Sequence, residues 1–316
     1  MSAKPAVLIS HPMIGPMQPV LEGAYDVHRL WDHPDLQAFA AGVGREIRAI
    51  VHAGEFRLTP ELLAAMPSLG LIANVSVGYD GVDVPWCRAH GIEVTHSRGL
   101  NADDVADHAV GLLIAGWRGI AEGDRMVREG TWTLTDRMRP RPSLRGKKAG
   151  IVGLGHIGEA VARRLEAFGM TVAWWGHRPK PEAPWPMADS LPALARDCDA
   201  LMVCCRASPE TVKLISAEVI DAVGPRGAVV NISRGQVVDE DALIAALKAG
   251  RLGMAGLDVF ETEPTPADRW ADVPNTVLTP HSAGGTVDSI PLMIASCLEN
   301  LHCFFAGEPL PTPVAD

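Results

Sequence analysis

The chain has 316 residues, 47% hydrophobic and 21% charged, enough for two domains with sizeable cores. Its formal net charge of −10 at pH 7 argues against nucleic acid or an anionic membrane as the main partner, while leaving room for a local basic pocket. The six cysteines (Cys87, Cys198, Cys204, Cys205, Cys297, Cys303) show no CxxC spacing and read as buried free thiols in a reducing cytosol; no metal site is expected. The first apolar run, Ala6–Ile9, is too short for a signal segment. No uninterrupted apolar stretch is long enough to span a bilayer, so the reading is a cytoplasmic protein.

Strands are expected at Ala6–Ser10, Ile47–His52, Leu69–Val75 and Ile92–Thr95. A helical segment, Pro60–Met66, has Thr59 as its cap. A long helix is expected from Ala102 to Glu129, capped by Asn101 with Asp103 and Asp104 in its first turn. Its small residues Ala106, Ala109, Gly111, Ala115 and Gly116 suit either internal packing or a subunit interface. A connector with Arg137, Arg139 and Arg141 among Pro140 and Pro142 follows. A second alternation then places strands at Ala149–Val152, Thr171–Trp175, Ala200–Cys204, Ala228–Ile232, Gly253–Asp258 and Thr276–Leu278. Helices fall between them, including His156–Ala167 and Asp239–Ala249, and a last helix covers roughly 288–305 with Pro291 near its start. Alternating strands and helices imply α/β architecture with parallel sheets.

Gly153-Leu154-Gly155-His156-Ile157-Gly158 follows a strand and opens a helix. In that context the glycines serve a tight turn, approach of backbone to a pyrophosphate, and close helix–strand packing, with the helix N-terminus attracting phosphate. The next strand ends in Trp175-Gly176-His177-Arg178-Pro179-Lys180, with no acid before Glu182. An acid there would bond the ribose 2′-hydroxyl of NAD, whereas Arg178, His177 and Lys180 would attract the 2′-phosphate of NADP. NADPH is therefore the expected cofactor, with NAD weaker.

Reactive side chains recur after three later strands. Asn231-Ile232-Ser233-Arg234-Gly235 offers a cation, Gly256-Leu257-Asp258-Val259-Phe260-Glu261-Thr262-Glu263-Pro264 a carboxylate, and Pro280-His281-Ser282-Ala283-Gly284 an imidazole. A carboxylate beside an imidazole keeps it protonated and oriented. A cation, a held acid and a hydride donor are what reduction of a 2-oxo acid needs.

With Val77-Gly78-Tyr79-Asp80-Gly81-Val82-Asp83, these segments resemble the D-2-hydroxyacid dehydrogenase family in order and spacing over most of the chain. The resemblance implies two doubly wound parallel-sheet domains, flavodoxin-like and Rossmann, with a cleft between them. Residues 1–99 and 284–316 would form the substrate domain and 100–283 the dinucleotide-binding domain. It implies that Arg234 binds the carboxylate and the reacting oxygen, that His281 donates the proton with Glu263 bonded to it, and that Val77 and Gly78 hold the carboxylate through backbone N–H groups. Cofactor contacts are implied for residues 153–158, Gly176, His177, Arg178, Lys180, Cys205, Ile232, Ser233, Arg234, Asp258 (near the nicotinamide amide), His281 and Gly284.

The chain is most similar to the glyoxylate/hydroxypyruvate and hydroxyphenylpyruvate reductase branch. Cys205 falls where that branch often has a cofactor-lining cysteine, which is no reason to make it a nucleophile. Arg206 departs from the expected proline and reaches either the cofactor phosphates or the surface. Phosphoglycerate dehydrogenase is disfavoured because the chain ends soon after Phe305 and the second strand lacks an acid. Formate dehydrogenase is disfavoured because Glu263 stands where that branch has Gln. The expectation is a reductase acting on a small 2-oxo acid and, as the resemblance implies, a homodimer through the small-residue helix Ala102–Glu129. Its alternative is a non-catalytic NAD(P)-sensing protein of the same fold. The side-chain pocket would come from 52–56, 75–77 and a partner's 131–137.

Overall fold

The computed structural model describes residues 4–135 and 138–314; Asp136 and Arg137, which belong to the loop proposed above as a partner contribution, lie outside them. The chain divides into two compact units, Met1–Leu100 with Val287–Asp316, and Asn101–Thr286.

The first unit holds a five-stranded, all-parallel sheet in the order β2-β1-β3-β4-β5, from Ala6–Ile9 (β1), Asp26–Arg29 (β2), Ile47–His52 (β3), Leu71–Asn74 (β4) and Glu93–Thr95 (β5). Its helices are Gln18–Leu21 (α1), Leu36–Ala41 (α2), Pro60–Ala64 (α3), Val84–Ala89 (α4) and, from the other end of the chain, Ser289–Ala306 (α12). Chain order reverses between β1 and β3, which makes their carboxyl ends the switch point of the sheet. Strand β2 escapes a reading for apolar runs because Asp-Val-His-Arg is an edge strand with only Val27 apolar. Thr59 accepts from the Leu62 amide, as expected of a cap. Helix α12 has the length and composition of a membrane span. Here it packs on β4, with Cys297 and Leu301 buried and the Cys297 thiol donating to the Ala73 carbonyl.

The second unit holds a six-stranded parallel sheet in the order β11-β10-β9-β8-β6-β7. Its strands are Lys148–Val152 (β6), Thr171–Trp175 (β7), Ala200–Val203 (β8), Ala228–Asn231 (β9), Met254–Leu257 (β10) and Thr276–Leu278 (β11). Strands β8, β9 and β10 are buried along their whole length, which is why they read as continuous apolar runs. The helices are Ala102–Trp117 (α5), Ile120–Arg128 (α6), His156–Ala167 (α7), Leu191–Asp197 (α8), Ala217–Val223 (α9), Glu240–Lys248 (α10) and Ala267–Trp270 (α11). The switch point lies between β6 and β8.

The single long helix expected from Ala102 is two helices. Gly119 adopts φ 65°, left-handed backbone that ends α5 and turns the chain into α6. Asn101 occupies the cap position but makes no side-chain cap bond; its amide donates instead to the Gly284 carbonyl. Ala106, Ala109 and Gly116 of α5 serve internal packing, whereas Gly111 is exposed and a Cβ there would meet nothing within 4 Å. Ala106 and Ala109 are fully buried, and a Cβ on Gly116 would lie 1.8 Å from the Met254 Cε.

At the switch point of the first unit, His52 is 1% exposed. Its Nδ1 lies 2.7 Å from the Ser10 hydroxyl and its Nε2 2.9 Å from the Phe56 carbonyl. Since a carbonyl only accepts, Nε2 carries the proton and Nδ1 accepts from Ser10. Burial lowers the His52 pKa to about 4, against the Phe56 bond, which raises it, and with His11, which adds to the lowering. The unfolded chain therefore takes up a proton here that the folded chain refuses. Stability is complete above the ordinary histidine value and falls as pH drops from about 6.5 toward 4, by about 3 kcal/mol in all for this group. Denaturant unfolding of wild type and His52→Gln between pH 7 and 4.5 should show the variant losing less stability over that range. Parallel pH dependences would refute the assignment.

Candidate active site

The glycine loop sits at the β6/β8 switch point. Gly153 adopts φ 90°, and a Cβ there would lie 2.5 Å from the Cys205 Cα, so backbone meets backbone. A Cβ on Gly158 would lie 2.2 Å from the Gly153 carbonyl, the close helix–strand approach expected of the third glycine. At Gly155 a Cβ would meet nothing within 4 Å, which leaves space beside the opening turn of α7. That turn has amides without intrahelical partners, and the arrangement fits a pyrophosphate. Leu154 turns into the core, Ile157 is half-buried, and Gly155 and His156 are exposed. Burial raises the Cys205 thiol to about 11, so it is protonated at neutral pH and no nucleophile.

After β7, Gly176 is half-buried and His177 and Arg178 are exposed. The absence of a local acid does not leave the whole cluster unopposed. Lys180 pairs with Glu159 of α7 at 3.1 Å. Glu210, after β8, is held below the usual carboxylate range by Ser208 first and in lesser part by His177. Arg178 makes no hydrogen bond or ion pair among the described residues. Sequence spacing missed Glu159 and Glu210 because they come from other elements.

The catalytic candidates lie at the carboxyl ends of β9, β10 and β11. Asn231 fixes the turn that carries Arg234: its carbonyl oxygen accepts from the Ser233 amide and hydroxyl, both at 3.0 Å, and its amide donates to the Arg234 carbonyl at 3.0 Å. Ile232 and Ser233 are thereby buried, and Arg234 is half-buried with Nη1 donating to the Ser233 carbonyl. A Cβ on Gly235 would lie 1.8 Å from the Phe260 carbonyl carbon, so the Arg234 turn and the segment carrying Glu263 pack backbone on backbone. Glu263 accepts from the Phe260 amide at 2.9 Å, and its other oxygen lies 2.6 Å from Nδ1 of His281. Burial pushes this carboxyl up. The His281 bond, the Phe260 amide and the charges of His281 and Arg234 outweigh burial and hold it below its ordinary value.

His281 itself adopts φ 51°, unusual for a non-glycine residue. Asp258, 1% exposed, holds that turn: its carboxylate accepts from the Thr279 hydroxyl at 2.6 Å and the Ser282 and Ala283 amides at 2.9 Å. His108 of α5 stands 2.8 Å from Thr279 Oγ1 and 3.5 Å from Asp258. Because Thr279 gives its proton to Asp258, His108 Nε2 must donate. A Cβ on Gly284 would lie 2.4 Å from the Asn101 amide nitrogen. No sequence signal singled out Asn231, His108 or Thr279.

In the first unit, Val77 and Gly78 follow β4. Their carbonyls accept from His96 at 3.0 Å and Ser76 at 2.8 Å, while their N–H groups have no hydrogen-bond partner among the described residues. Two successive amides of this kind suit a carboxylate.

The chain belongs to the 2-hydroxyacid dehydrogenase family: residues 110–283 match "D-isomer specific 2-hydroxyacid dehydrogenase, NAD binding domain". It is an oxidoreductase of that family. It is 41% identical over 308 residues to hydroxyphenylpyruvate reductase of Plectranthus scutellarioides, covering 98% of each chain. Among solved structures it is similar to a 2-hydroxyacid dehydrogenase of Ketogulonicigenium vulgare Y25 (TM-score 0.92, 42% identity, 99% of each chain). It is similar also to the NADPH-dependent glyoxylate/hydroxypyruvate reductase of Sinorhizobium meliloti, solved with NADP and malonate (TM-score 0.92, 35% identity, 99% of this chain and 97% of that one).

Glu263→Gln keeps the neighbour of His281 polar but removes its charge. Reduction needs the protonated imidazole, and a nearby negative charge favours that form. The alkaline arm of the kcat/KM profile should therefore move down by about one pH unit or more. An unmoved arm would show that the pair does not set the proton supply.

Proposed function

We propose that the protein reduces a small 2-oxo acid, such as glyoxylate, hydroxypyruvate or a related compound, to the D-2-hydroxy acid with NADPH. The observation that carries this reading is the 2.6 Å Glu263–His281 pair beside Arg234, one unit of machinery built after three successive strands. Bound NADPH supplies the hydride to the carbonyl carbon. With Nδ1 of His281 turned to Glu263, Nε2 delivers the proton to the carbonyl oxygen. Arg234 holds the substrate carboxylate and polarises the carbonyl. The Val77 and Gly78 amides take up carboxylate charge. Residues 153–158, Gly176, Cys205, Ile232, Ser233, Asp258 and Gly284 complete the proposed cofactor set.

The S. meliloti structure and the basic loop support NADPH over NADH. Within that loop the weight falls on Arg178, since Lys180 and His177 already face Glu159 and Glu210. The non-catalytic alternative is disfavoured, because relatives matching nearly the whole chain are reductases by name.

A cytoplasmic homodimer is part of the same proposal. Its interface is assigned to α6 and the residues after it, where large apolar side chains are exposed. Ile120 and Val127 are 56% and 63% exposed, and Trp132 and Leu134 56% and 79%. Sedimentation at micromolar concentration should give twice the chain mass; a monomer would contradict the assignment.

A panel of 2-oxo acids run with NADPH and NADH tests the activity. Arg178→Ala should lower kcat/KM for NADPH about tenfold and leave NADH use within about twofold. Equal losses would remove Arg178 from cofactor selection, and failure to oxidise NADPH with any 2-oxo acid would overturn the function.

A further inference from the structure

Ligands of open α/β sheets bind in the crevice at the switch point, outside the carboxyl ends of the strands. In the first unit that crevice, between β1 and β3, is filled from within. Ser10, the residue after β1, and His52, the last residue of β3, bond across it at 2.7 Å. His52 reaches on to the Phe56 carbonyl at 2.9 Å, and the His11 ring stacks on Phe56 at 3.5 Å between centroids.

The loop so held is not isolated. The Gly54 amide donates to Ser76 Oγ at 2.8 Å, and that hydroxyl donates to the Gly78 carbonyl at 2.8 Å. The Gly81 amide donates to the Gly54 carbonyl at 2.7 Å, and the Val75 amide to the His52 carbonyl at 2.9 Å. A Cβ on Gly54 would lie 2.1 Å from the Gly78 carbonyl, and one on Gly81 2.0 Å from the Phe56 carbonyl. Two backbone segments therefore lie in direct contact. One is anchored by His52; the other carries the Val77 and Gly78 amides, which have no hydrogen-bond partner among the described residues.

We infer that the Ser10–His52 pair is a positioning device for the substrate carboxylate, fixing the 53–56 segment and through it the Val77 and Gly78 amides. This rests on the carboxylate reading of those amides under the proposed function. His52 itself touches no reacting atom. Its work is to donate from Nε2 to Phe56 while Nδ1 accepts from Ser10, a neutral bridge filling space a ligand would otherwise enter.

The test compares His52→Val, which removes both bonds, with His52→Gln, whose amide can donate to Phe56, and Ser10→Ala, which removes one bond. Two readouts are taken: hydrogen exchange of the segments 53–56 and 75–81, and steady-state KM and kcat with hydroxypyruvate and NADPH. His52→Val should exchange faster in both segments and raise the hydroxypyruvate KM about fivefold or more, with kcat and the NADPH KM within about twofold. His52→Gln should restore most of both effects, and Ser10→Ala should fall between. If His52→Val does not fold, Ser10→Ala decides by the same readouts. Wild-type exchange in the 75–81 segment, or a KM for NADPH rising as much as that for hydroxypyruvate, would overturn the inference. If wild type reduces no 2-oxo acid, the functional reading fails on its own, and the exchange arm still decides whether His52 orders the two segments.

Discussion

The turn that carries His281 depends on one buried carboxylate. Asp258 lies at the end of β10 with 1% exposure, and three donors converge on it from residues 279, 282 and 283. Hydrogen bonds to a charged group contribute roughly 1.5–3 kcal/mol each. A histidine held at positive φ costs on the order of 1–3 kcal/mol. The bonds outweigh the strain, so His281 keeps its φ of 51° and its Nδ1 stays 2.6 Å from Glu263. Without Asp258, the Ser282 and Ala283 amides would lose their partners and the turn its reason to hold that shape. The His108–Thr279 bond adds a second tie from α5.

The two units use the same sheet logic to different ends. In the second, the switch point between β6 and β8 is kept open by glycines: Gly153 meets Cys205 backbone to backbone, and Gly155 leaves space in front of α7. In the first, the equivalent point between β1 and β3 is closed by a buried histidine and a serine. Under the proposed function the open one would receive a cofactor's phosphates; under the inference above the closed one stiffens a loop whose Val77 and Gly78 amides have no hydrogen-bond partner among the described residues.

Much of this was legible in the sequence because the relevant signals are local. Buried parallel strands such as Ala228–Asn231 write themselves as apolar runs, and Gly153–Gly158 needs its glycines within six residues. Arg234, Glu263 and His281 follow the carboxyl ends of β9, β10 and β11, each a few residues past an apolar strand that reads plainly in the sequence. What was not legible depends on juxtaposition of distant segments. Glu159 meets Lys180 and Glu210 bears on His177 across separate elements. His52 finds Ser10 forty-two residues earlier in the chain. The break at Gly119 and the edge strand Asp26–Arg29 were missed for another reason: a glycine inside an apolar pattern and a charged edge both weaken the periodicity on which such readings rest.

His281, held by Glu263 on the Asp258-braced turn, is proposed to supply the proton for reduction. The direct measurement is NADPH oxidation with the best 2-oxo acid of the panel by wild type and His281→Ala at neutral pH, alongside NADPH binding by fluorescence. The expected result is a fall in kcat/KM of about 10²–10⁴-fold with NADPH affinity little changed. A loss smaller than about tenfold would contradict it.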